Sequence, residues 1–468
     1  MVFSSLVFLT VFLPVFLAIY FLTPSRLKNW TALLASYFFY AWGAPVVVFF
    51  LFAFTVMDFC LGLFMATSAP SKKKWILAFS VLVNVSALAY FKYANFFLEQ
   101  TNNVLSVMSF HTFTWTHILL PAGISFFTFH KISYMVDVHR GTVPASKSFI
   151  NFALYVALFP QLIAGPIIRY HEIAGMIEKR SHSAEELLSG LFRFAVGLAK
   201  KVLIANTLAS TADQAFAMRS SRAVYAWTGI LAYTMQIYFD FSGYSDMAIG
   251  IAKMMGFKFP ENFNRPYVAQ NFTDFWRRWH ISLSSWMRDY LYIPFGGNRA
   301  GSVRMYFNLC LVFFLSGLWH GAGWTFIIWG IYHGVFLVLD RVFWREYSAR
   351  LPKFLNQVLT FILVLSGWVF FRADSLRGAF QYFKSMAGFG EFSNDRVLRP
   401  DFISNQGIAT LILALAISLA PEGIFKSKIL SEWEDRHFIK FGVTALLFFA
   451  SYATLVNSSF NPFIYFRF

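Results

Sequence analysis

Residues 315–324 have the sequence Leu-Ser-Gly-Leu-Trp-His-Gly-Ala-Gly-Trp, which places one imidazole, that of His320, inside an apolar part of the chain. A histidine at membrane depth costs free energy unless it is paired, hydrated or used, so its position there points first to a function. The three glycines of the stretch remove side-chain bulk and let a ligand or another backbone approach closely. Trp319 and Trp324 would form the walls of such a pocket. The alternative, a structural histidine bonded to a neighbouring helix, stays open on this stretch alone.

The composition of the chain indicates its class. Of the 468 residues, 57% are hydrophobic and 13% are charged, and the mean hydropathy is +0.55. Soluble domains carry about 25% charged residues, so the chain is predicted to be a polytopic membrane protein. The net charge of +16 comes mainly from cations between apolar segments, a pattern typical of membrane topology and anionic lipid head groups rather than of nucleic-acid binding. Cys60 and Cys310 lie within apolar runs and indicate neither a disulfide framework nor a metal site.

The N-terminal part alternates apolar runs with basic loops. Four apolar runs predict membrane-spanning helices: residues 2–22, 30–42, 46–65 and 75–97. The first run lacks the basic start and the cleavage site of a signal peptide, so a retained helix is expected. Basic residues at 24–28 and 71–74 mark the cytoplasmic side of the membrane. The N-terminus is therefore predicted to lie on the external side. The loop at 98–117 contains no Lys or Arg and is predicted to be external.

The next part of the chain contains a broken apolar segment. A span over 119–140 is followed by apolar residues 151–170, which Pro160 and Pro166 interrupt. A crossing here would place Arg169 outside, against the charge rule. The pattern therefore favours a re-entrant segment, because broken backbone at membrane depth needs protein or a cavity to satisfy it. After it, Ser183-Ala184-Glu185-Glu186 matches a capping box that begins a helix through residue 208.

The second half of the chain completes about a dozen apolar segments. Further spans are predicted at residues 224–255, 328–339, 359–371, 408–419 and 443–456. A polar loop occupies 388–407. His333 would lie on another face from His320 if their helix were continuous, so His333 is interpreted as structural.

Residues 240–246 form a polar patch inside the span at 224–255. Asp240 and Tyr244 are four residues apart and share a helix face. Intramembrane carboxylates need partners, so these residues could bond a substrate or orient a base. The alternative is an interhelical bond, and for Asp246 this structural role is favoured.

Residues 271–299 form the second informative stretch. Helical spacing places five large side chains on one arc, namely Trp276, Trp279, Leu283, Trp286 and Tyr290, with polar residues opposite. The pattern predicts one amphipathic helix at a membrane surface or beside a wet cavity. An interfacial aromatic belt explains most of the tryptophans. It explains less well His280, which Ser284 flanks, and the pair Arg277 and Arg278, which could hold phosphates or a carboxylate.

Several ordered blocks resemble the signature of a known family. They are residues 120–129 (LPAGISFFTF), 159–166 (FPQLIAGP), 244–247 (YSDM), 276–286 (WRRWHISLSSW), 318–321 (LWHG) and 463–468 (FIYFRF). The chain resembles the membrane-bound O-acyltransferase family, and within it the bacterial branch of alginate O-acetylation proteins typified by AlgI. The resemblance extends over nearly the whole chain.

The resemblance implies a fold, an activity and a location. The expected fold is an all-α polytopic membrane protein with about a dozen transmembrane or re-entrant helices around a central funnel, formed as one domain over residues 1–468. The expected activity is acyl transfer in a bacterial inner membrane, with His320 matching the family's histidine and His280 its upstream polar partner. Trp276, Arg277, Arg278, Ser284, Trp319, Asp240 and Tyr244 are the candidate residues that bind the donor or substrate.

The same resemblance implies the donor and the partners. Acetyl groups would come from a cytoplasmic donor, expected to be acetyl-CoA, and would reach an exported polysaccharide such as alginate, cellulose or another polymer. No bound cofactor and no metal are expected. Because the predicted external loops are short, a partner is expected to hold the polymer. The resemblance implies that this partner is a periplasmic acetyltransferase of the serine-hydrolase-like (SGNH) type, together with a polysaccharide export complex and membrane lipids. Independent carbohydrate-binding domains usually need about 50 residues or more.

Two other function classes remain to be weighed. Intramembrane Asp and His residues and broken helices are also features of transporters, although no internal repeat with matched interrupted helices is evident. A scaffold of an export complex would explain the spans but would leave His320 without a role.

Overall fold

The apolar segments of the sequence form helices throughout the part of the chain that can be described. The structure is a computed structural model, and it describes residues 1–218, 222–299, 301–390, 402–421, 437–458 and 463–464. Over these ranges every regular element is helical and none is a strand. The predicted all-α class is therefore confirmed.

Among the residues that the structure describes, six helices are long and apolar enough to cross a membrane. They are Val47–Thr67, Pro70–Val107, Ser302–His320, Trp324–Ser348, Lys353–Arg372 and His437–Asn457. Shorter apolar helices cover Phe8–Leu22 and Asn405–Leu419. Together with the membrane-embedded pattern of the sequence, these helices define a multi-pass membrane protein.

The chain forms two compact units. The first contains residues 1–187 and 251–260, and the second contains residues 188–250 and 261–468. The expectation of a single functional domain over 1–468 stays a prediction.

The first unit contains the N-terminal helices and the broken segment. Its longer elements are Leu13–Leu22, Lys28–Gly43, Val47–Thr67, Pro70–Val107, Ile124–Arg140, Phe149–Ala157 and Tyr170–Glu178. Phe159 packs at its centre, with its ring 5.1 Å from that of Phe16 and 5.4 Å from those of Phe12 and Phe39. This buried aromatic cluster packs the N-terminal apolar run against the rest of the unit.

The helix Pro70–Val107 corrects one predicted boundary. Its 38 residues extend about 57 Å, nearly twice the roughly 30 Å of a bilayer core. Residues 98–107 are therefore helical, and the predicted loop at 98–117 begins only after them. Polar residues such as Asn102 do not end a helix by themselves, since Asn costs only a few tenths of a kcal/mol there, about 0.7 at most.

The predicted break in residues 151–170 is confirmed. The helix Phe149–Ala157 has nine residues and so a length of about 14 Å, too short to span a bilayer. A four-residue helix, Phe159–Leu162, carries Pro160 in its first turn. Tyr155 Oη lies 3.0 Å from each of the carbonyl oxygens of His130 and Ile168 and can donate its single hydrogen to either of them. Protein groups thus satisfy part of the irregular backbone, as the re-entrant interpretation requires.

The second unit carries the remaining helices. These are Ala184–Ala199, Asn206–Ala217, Ala223–Met254, Phe272–Arg278, Ile281–Met287, Ser302–His320, Trp324–Leu339, Lys353–Arg372, Leu376–Met386, Asn405–Leu419 and His437–Asn457. The first of these begins after Ser183, whose Oγ accepts from the Glu186 backbone N–H at 3.0 Å, as the capping pattern predicts. Most of the predicted polar loop, residues 391–401, lies outside the described residues, and so do residues 465–468 of the C-terminal block.

Candidate active site

A tight helical hairpin positions the histidine of the opening stretch. The helices Ser302–His320 and Trp324–Leu339 are joined by residues 321–323. A Cβ atom at Gly317 would collide with the backbone carbonyl of Phe326, and one at Gly330 with that of Phe313. These two glycines therefore allow the helix backbones to touch. A Cβ at Gly321 would collide with the ring of Phe326, so this glycine serves packing rather than ligand access.

His320 is the last residue of its helix and is buried. Its Nδ1 lies 2.7 Å from the carbonyl oxygen of Ser316, one turn earlier. A carbonyl oxygen can only accept, so Nδ1 carries the hydrogen. In the neutral ring, Nε2 is consequently the basic nitrogen, and the backbone fixes both the tautomer and the orientation of the ring.

Aromatic rings surround the His320 imidazole. The ring of Trp329 lies 4.7 Å away, that of Trp319 4.8 Å and that of Phe371 5.4 Å between centroids. Trp329 is fully buried, and its indole Nε1 has no hydrogen-bond acceptor among the residues described. A buried indole N–H normally finds a partner, so this donor beside the histidine is available to a bound group.

The amphipathic stretch 271–299 differs from the prediction. It forms two short helices, Phe272–Arg278 and Ile281–Met287, rather than one continuous helix. The break lies at His280, whose φ of 45° is in the left-handed region. Helical spacing cannot reveal such a break, because one residue with positive φ redirects the chain without changing the hydrophobic pattern.

Asn262 holds the break at His280 in place. The sequence pattern does not single out this residue. Its Oδ1 accepts from His280 Nδ1 at 3.1 Å and from the Ser282 hydroxyl at 2.9 Å and backbone N–H at 3.2 Å. Its backbone oxygen accepts from Ile281 N–H at 2.9 Å. The only available signal was an asparagine in a polar turn, Glu261-Asn262-Phe263-Asn264, which by itself predicts only a loop.

The ring of Trp319 packs against both candidate histidines. The ring centroid of Trp319 is 4.8 Å from that of His320 and 6.2 Å from that of His280. His280 is fully buried, and burial together with the charge of nearby His320 lowers the pKa of its imidazole well below the usual range. His280 is therefore neutral near pH 7, which suits a hydrogen-bonding rather than a cationic role.

A cavity of about 490 Å³ opens beside the hairpin. Its walls include three arginines, Arg277, Arg288 and Arg341, and an apolar stripe of the hairpin that includes Val312 and ends at Ser316. The volume is typical of small-molecule sites, which combine apolar walls with a few polar groups. Since the Ser316 carbonyl holds His320, the cavity wall reaches within one helical turn of the basic residue, although neither His320 nor His280 is among the residues that line it.

The structure separates the predicted binding residues. Trp276, Arg277 and Ser284 line the cavity, whereas Arg278 does not. Arg278 instead pairs with Asp274, Nε to Oδ1 at 2.8 Å. The two adjacent arginines thus differ, since the first faces the cavity and the second supports its own helix.

Asp240 and Tyr244 lie away from this cavity. Asp240 forms a buried ion pair with Lys201 at 2.6 Å and accepts from the Ile464 backbone N–H at 2.7 Å. Tyr244 stacks on Phe463 with ring centroids 4.6 Å apart. Their role in substrate binding stays a prediction.

Asp246 and His333, for which the sequence favours structural roles, both contact neighbouring side chains. Asp246 pairs with Arg193 at 2.6 Å and with Lys200 at 2.5 Å. His333 Nδ1 accepts from the indole N–H of Trp276 at 3.3 Å. Over the ranges that can be described, no group of three or more His, Cys, Asp or Glu side chains is placed to hold a metal ion.

Comparison with known proteins assigns this helical membrane chain to a family. The pattern of the membrane-bound O-acyltransferase family matches residues 143–377. The chain belongs to this family.

Curated relatives show the kind of reaction. The chain is 43% identical to the probable alginate O-acetylase AlgI of Azotobacter vinelandii over 100% of both chains. It is 36% identical to the peptidoglycan O-acetyltransferase of Helicobacter pylori, over 100% of this chain and 98% of that protein. It is 30% identical to the teichoic acid D-alanyltransferase of Bacillus subtilis, over 53% of this chain and 68% of that protein.

These matches identify the class of enzyme. The protein is a membrane O-acyltransferase, and the interpretation as a transporter or scaffold without acyl-transfer chemistry is wrong. The match at residues 143–377 contains His280, His320 and the whole arginine-bearing cavity.

Proposed function

We propose that the protein takes acetyl groups from acetyl-CoA on the cytoplasmic side of a bacterial inner membrane for the O-acetylation of an exported polysaccharide. The names of the alginate and peptidoglycan O-acetylating relatives support this acyl group and this kind of acceptor. An alginate or a cellulose-like polymer is the proposed acceptor.

The observation that carries the proposal is the arginine-bearing cavity that ends at Ser316. Acetyl-CoA carries phosphates at one end and a thioester at the end of a long uncharged arm. Arg277, Arg288 and Arg341 supply planar cations that match phosphate geometry. The apolar stripe that includes Val312 would then lead the thioester toward His320.

The tautomer of His320 suits it as a general base. Because Nδ1–H is bound to the Ser316 carbonyl, Nε2 can take the proton of an acceptor hydroxyl. The oxygen then attacks the thioester carbonyl, and the tetrahedral intermediate collapses with release of the coenzyme A thiolate. The thiolate takes the proton from the imidazolium, so the products are an O-acetyl ester and the free thiol.

The oxyanion of the intermediate requires a hydrogen-bond donor. The buried indole Nε1–H of Trp329, whose ring lies 4.7 Å from that of His320, is the donor proposed here. His280 is proposed to act together with His320, whose ring also packs against Trp319. A funnel that reaches His320 from both membrane faces would let acetyl cross without coenzyme A.

The proposed sidedness follows from the charge pattern. The basic residues at 24–28 and 71–74 are placed in the cytoplasm, and the N-terminus in the periplasm. The periplasmic segments are short, so a periplasmic SGNH-type acetyltransferase is proposed to complete the transfer to polymer within a polysaccharide modification complex.

Reconstitution tests the donor and the relay. The purified protein in proteoliposomes receives labelled acetyl-CoA on its cytoplasmic side and the polysaccharide, with or without the periplasmic acetyltransferase, on the other. We expect label on the polymer only when both proteins are present. Labelled polymer at the full rate without the partner would contradict the relay, and no label under any condition would contradict acetyl-CoA as the donor.

A further inference from the structure

A cluster of basic side chains surrounds Tyr20 in the first unit, at the end of the helix Leu13–Leu22. Tyr20 is fully buried, and its hydroxyl accepts from Arg180 Nε at 2.9 Å and donates to the Met255 carbonyl at 2.8 Å. Lys28 Nζ donates to the Tyr20 carbonyl at 2.7 Å and lies 4.4 Å from its ring centroid. His182 Nε2 lies 3.1 Å from the same hydroxyl. One tyrosine therefore organises three basic residues.

The cluster has an excess of positive charge. In the part of the chain that the structure describes, neither Lys28 nor Arg180 forms an ion pair with a carboxylate. Arg180 Nη1 donates to Asn29 Oδ1 at 2.7 Å, and its guanidinium lies 4.5 Å from the ring centroid of Phe257. Among the residues described, the acidic side chain whose charge reaches His182 is the half-buried Glu186. Two neighbouring cations held by neutral groups repel each other, so a bound anion would stabilise them.

Two exposed apolar stripes end at the loop before Lys28, and the buried Tyr20 lies on the other face of the first helix. On the first helix the stripe is Val11, Val15, Ile19 and Leu22, and on the helix Lys28–Gly43 and its approach it is Leu27, Trp30, Leu34 and Phe38. The spacing of three and four residues places each stripe on one helix face. The first stripe ends at Leu22, which is 84% exposed.

The length of the first stripe fits one leaflet of a bilayer. From Val11 to Leu22 the helix rises about 16 Å, close to half of a hydrocarbon core of roughly 30 Å. The basic cluster lies at the end of the stripe, beside the loop that joins the two helices. This loop belongs to the basic segment 24–28 that the charge rule places in the cytoplasm.

We propose that Lys28, Arg180 and His182 bind the phosphate of an anionic phospholipid of the cytoplasmic leaflet, whose acyl chains lie along the two apolar stripes. Basic pockets between membrane helices on this side recognise such head groups. The adjoining apolar stripes favour a lipid over a free phosphate ion, because only a lipid would cover them. The site is independent of acyl transfer.

Thermal unfolding of the purified full chain in mixed micelles tests the proposal. Phosphatidylglycerol should raise the unfolding midpoint more than zwitterionic phosphatidylethanolamine at equal mole fraction, since a ligand that binds only the folded state stabilises it. Inorganic phosphate at the same concentration should have little effect. The comparison of the two lipids uses the wild-type protein and does not depend on any variant.

Lys28→Gln is the variant that removes one cation of the cluster. It should need about fivefold more phosphatidylglycerol for the same shift, since one basic residue near an anionic lipid contributes about 1 kcal/mol. Lys28→Arg should behave like the wild type. Lys72→Gln, which removes an exposed lysine of another predicted cytoplasmic loop, is the matched control and should also behave like the wild type.

Three results would overturn the proposal. Equal shifts with the two lipids would show that the charge of the head group is not recognised. An equal shift with inorganic phosphate would assign the cluster to a soluble anion. An equal loss of lipid response in the Lys28→Gln and Lys72→Gln variants would reduce the effect to general surface charge.

Discussion

At the residue scale, the reactivity assigned to His320 depends on a backbone carbonyl. The sequence identifies this histidine, because it is a lone imidazole among glycines and tryptophans in an apolar run. It does not identify Ser316, because a carbonyl acceptor is available at every helical position and its use depends on the rotamer of the histidine. The same limit applies to Asn262 and Trp329, whose importance comes from contacts between separate elements of the fold.

Trp329→Phe tests the proposed oxyanion donor. Phenylalanine keeps an aromatic ring against His320 but removes the indole N–H, so we expect kcat for acetyl transfer to fall by about 10²–10³-fold. Trp368→Phe is the matched control, because Trp368 is also buried and packs 6.2 Å from Trp329. Equal kinetic losses in the two variants would indicate a packing role for Trp329.

His280→Asn separates chemistry from backbone strain. Asparagine tolerates positive φ better than most residues, so this variant should keep the helix break but lose the imidazole. We expect kcat to fall by about 10²-fold with little loss of thermal stability. His280→Ala should show a similar kcat and should be about 1–2 kcal/mol less stable, because alanine lacks the polar side chain that can hydrogen-bond locally and so offset the cost of a left-handed backbone. Full activity of purified His280→Asn would leave His280 with a packing role alone.

At the scale of elements, the sequence predicts that a segment is helical more accurately than it predicts where the helix breaks or ends. The apolar runs at 46–65 and 359–371 correspond to the helices Val47–Thr67 and Lys353–Arg372. The amphipathic helix at 271–299 and the loop at 98–117 were wrong in extent. In the first case the left-handed residue His280 divides the helix, and in the second a polar sequence continues a helix beyond the expected membrane boundary.

The division at His280 gives two adjacent arginines different tasks. Arg277 lines the cavity and Arg278 pairs with Asp274. Arg277→Gln should raise KM for acetyl-CoA about tenfold, because a charge-assisted hydrogen bond contributes about 1.5–3 kcal/mol. Arg278→Gln should leave KM unchanged and cost about 0.2–0.5 kcal/mol of stability. Steady-state kinetics of both variants measure this difference, and a larger KM effect in Arg278→Gln would contradict the assignment of the cavity to the donor.

Cysteine labelling tests the proposed topology of the helix Pro70–Val107. Cys60 and Cys310 are first replaced by serine, and single cysteines are then introduced as Lys72→Cys and Val107→Cys, both at exposed positions. An impermeant maleimide should modify the Val107→Cys variant in intact spheroplasts and the Lys72→Cys variant only after lysis. The reverse pattern would invert the orientation of the N-terminal helices.

At the scale of the whole molecule, the sequence predicts the class better than the division of the chain. Composition alone indicates a polytopic membrane protein, and the ordered motif blocks indicate its family, which the match at residues 143–377 confirms. The two compact units could not be predicted, because the break between them falls within helices that are continuous in sequence, such as Ala223–Met254. Hydrophobic periodicity reports which residues are apolar but not which helices pack together.

The ester content of the polysaccharide in cells that produce His320→Ala tests the central claim most directly. Because His320 is assigned as the base, the variant should accumulate in the membrane at the wild-type level while polymer acetylation falls by at least about 10²–10⁴-fold. His111→Ala, which removes an exposed histidine of a predicted external segment, should leave the ester content unchanged. Near-normal ester content in His320→Ala at equal protein level would contradict the account.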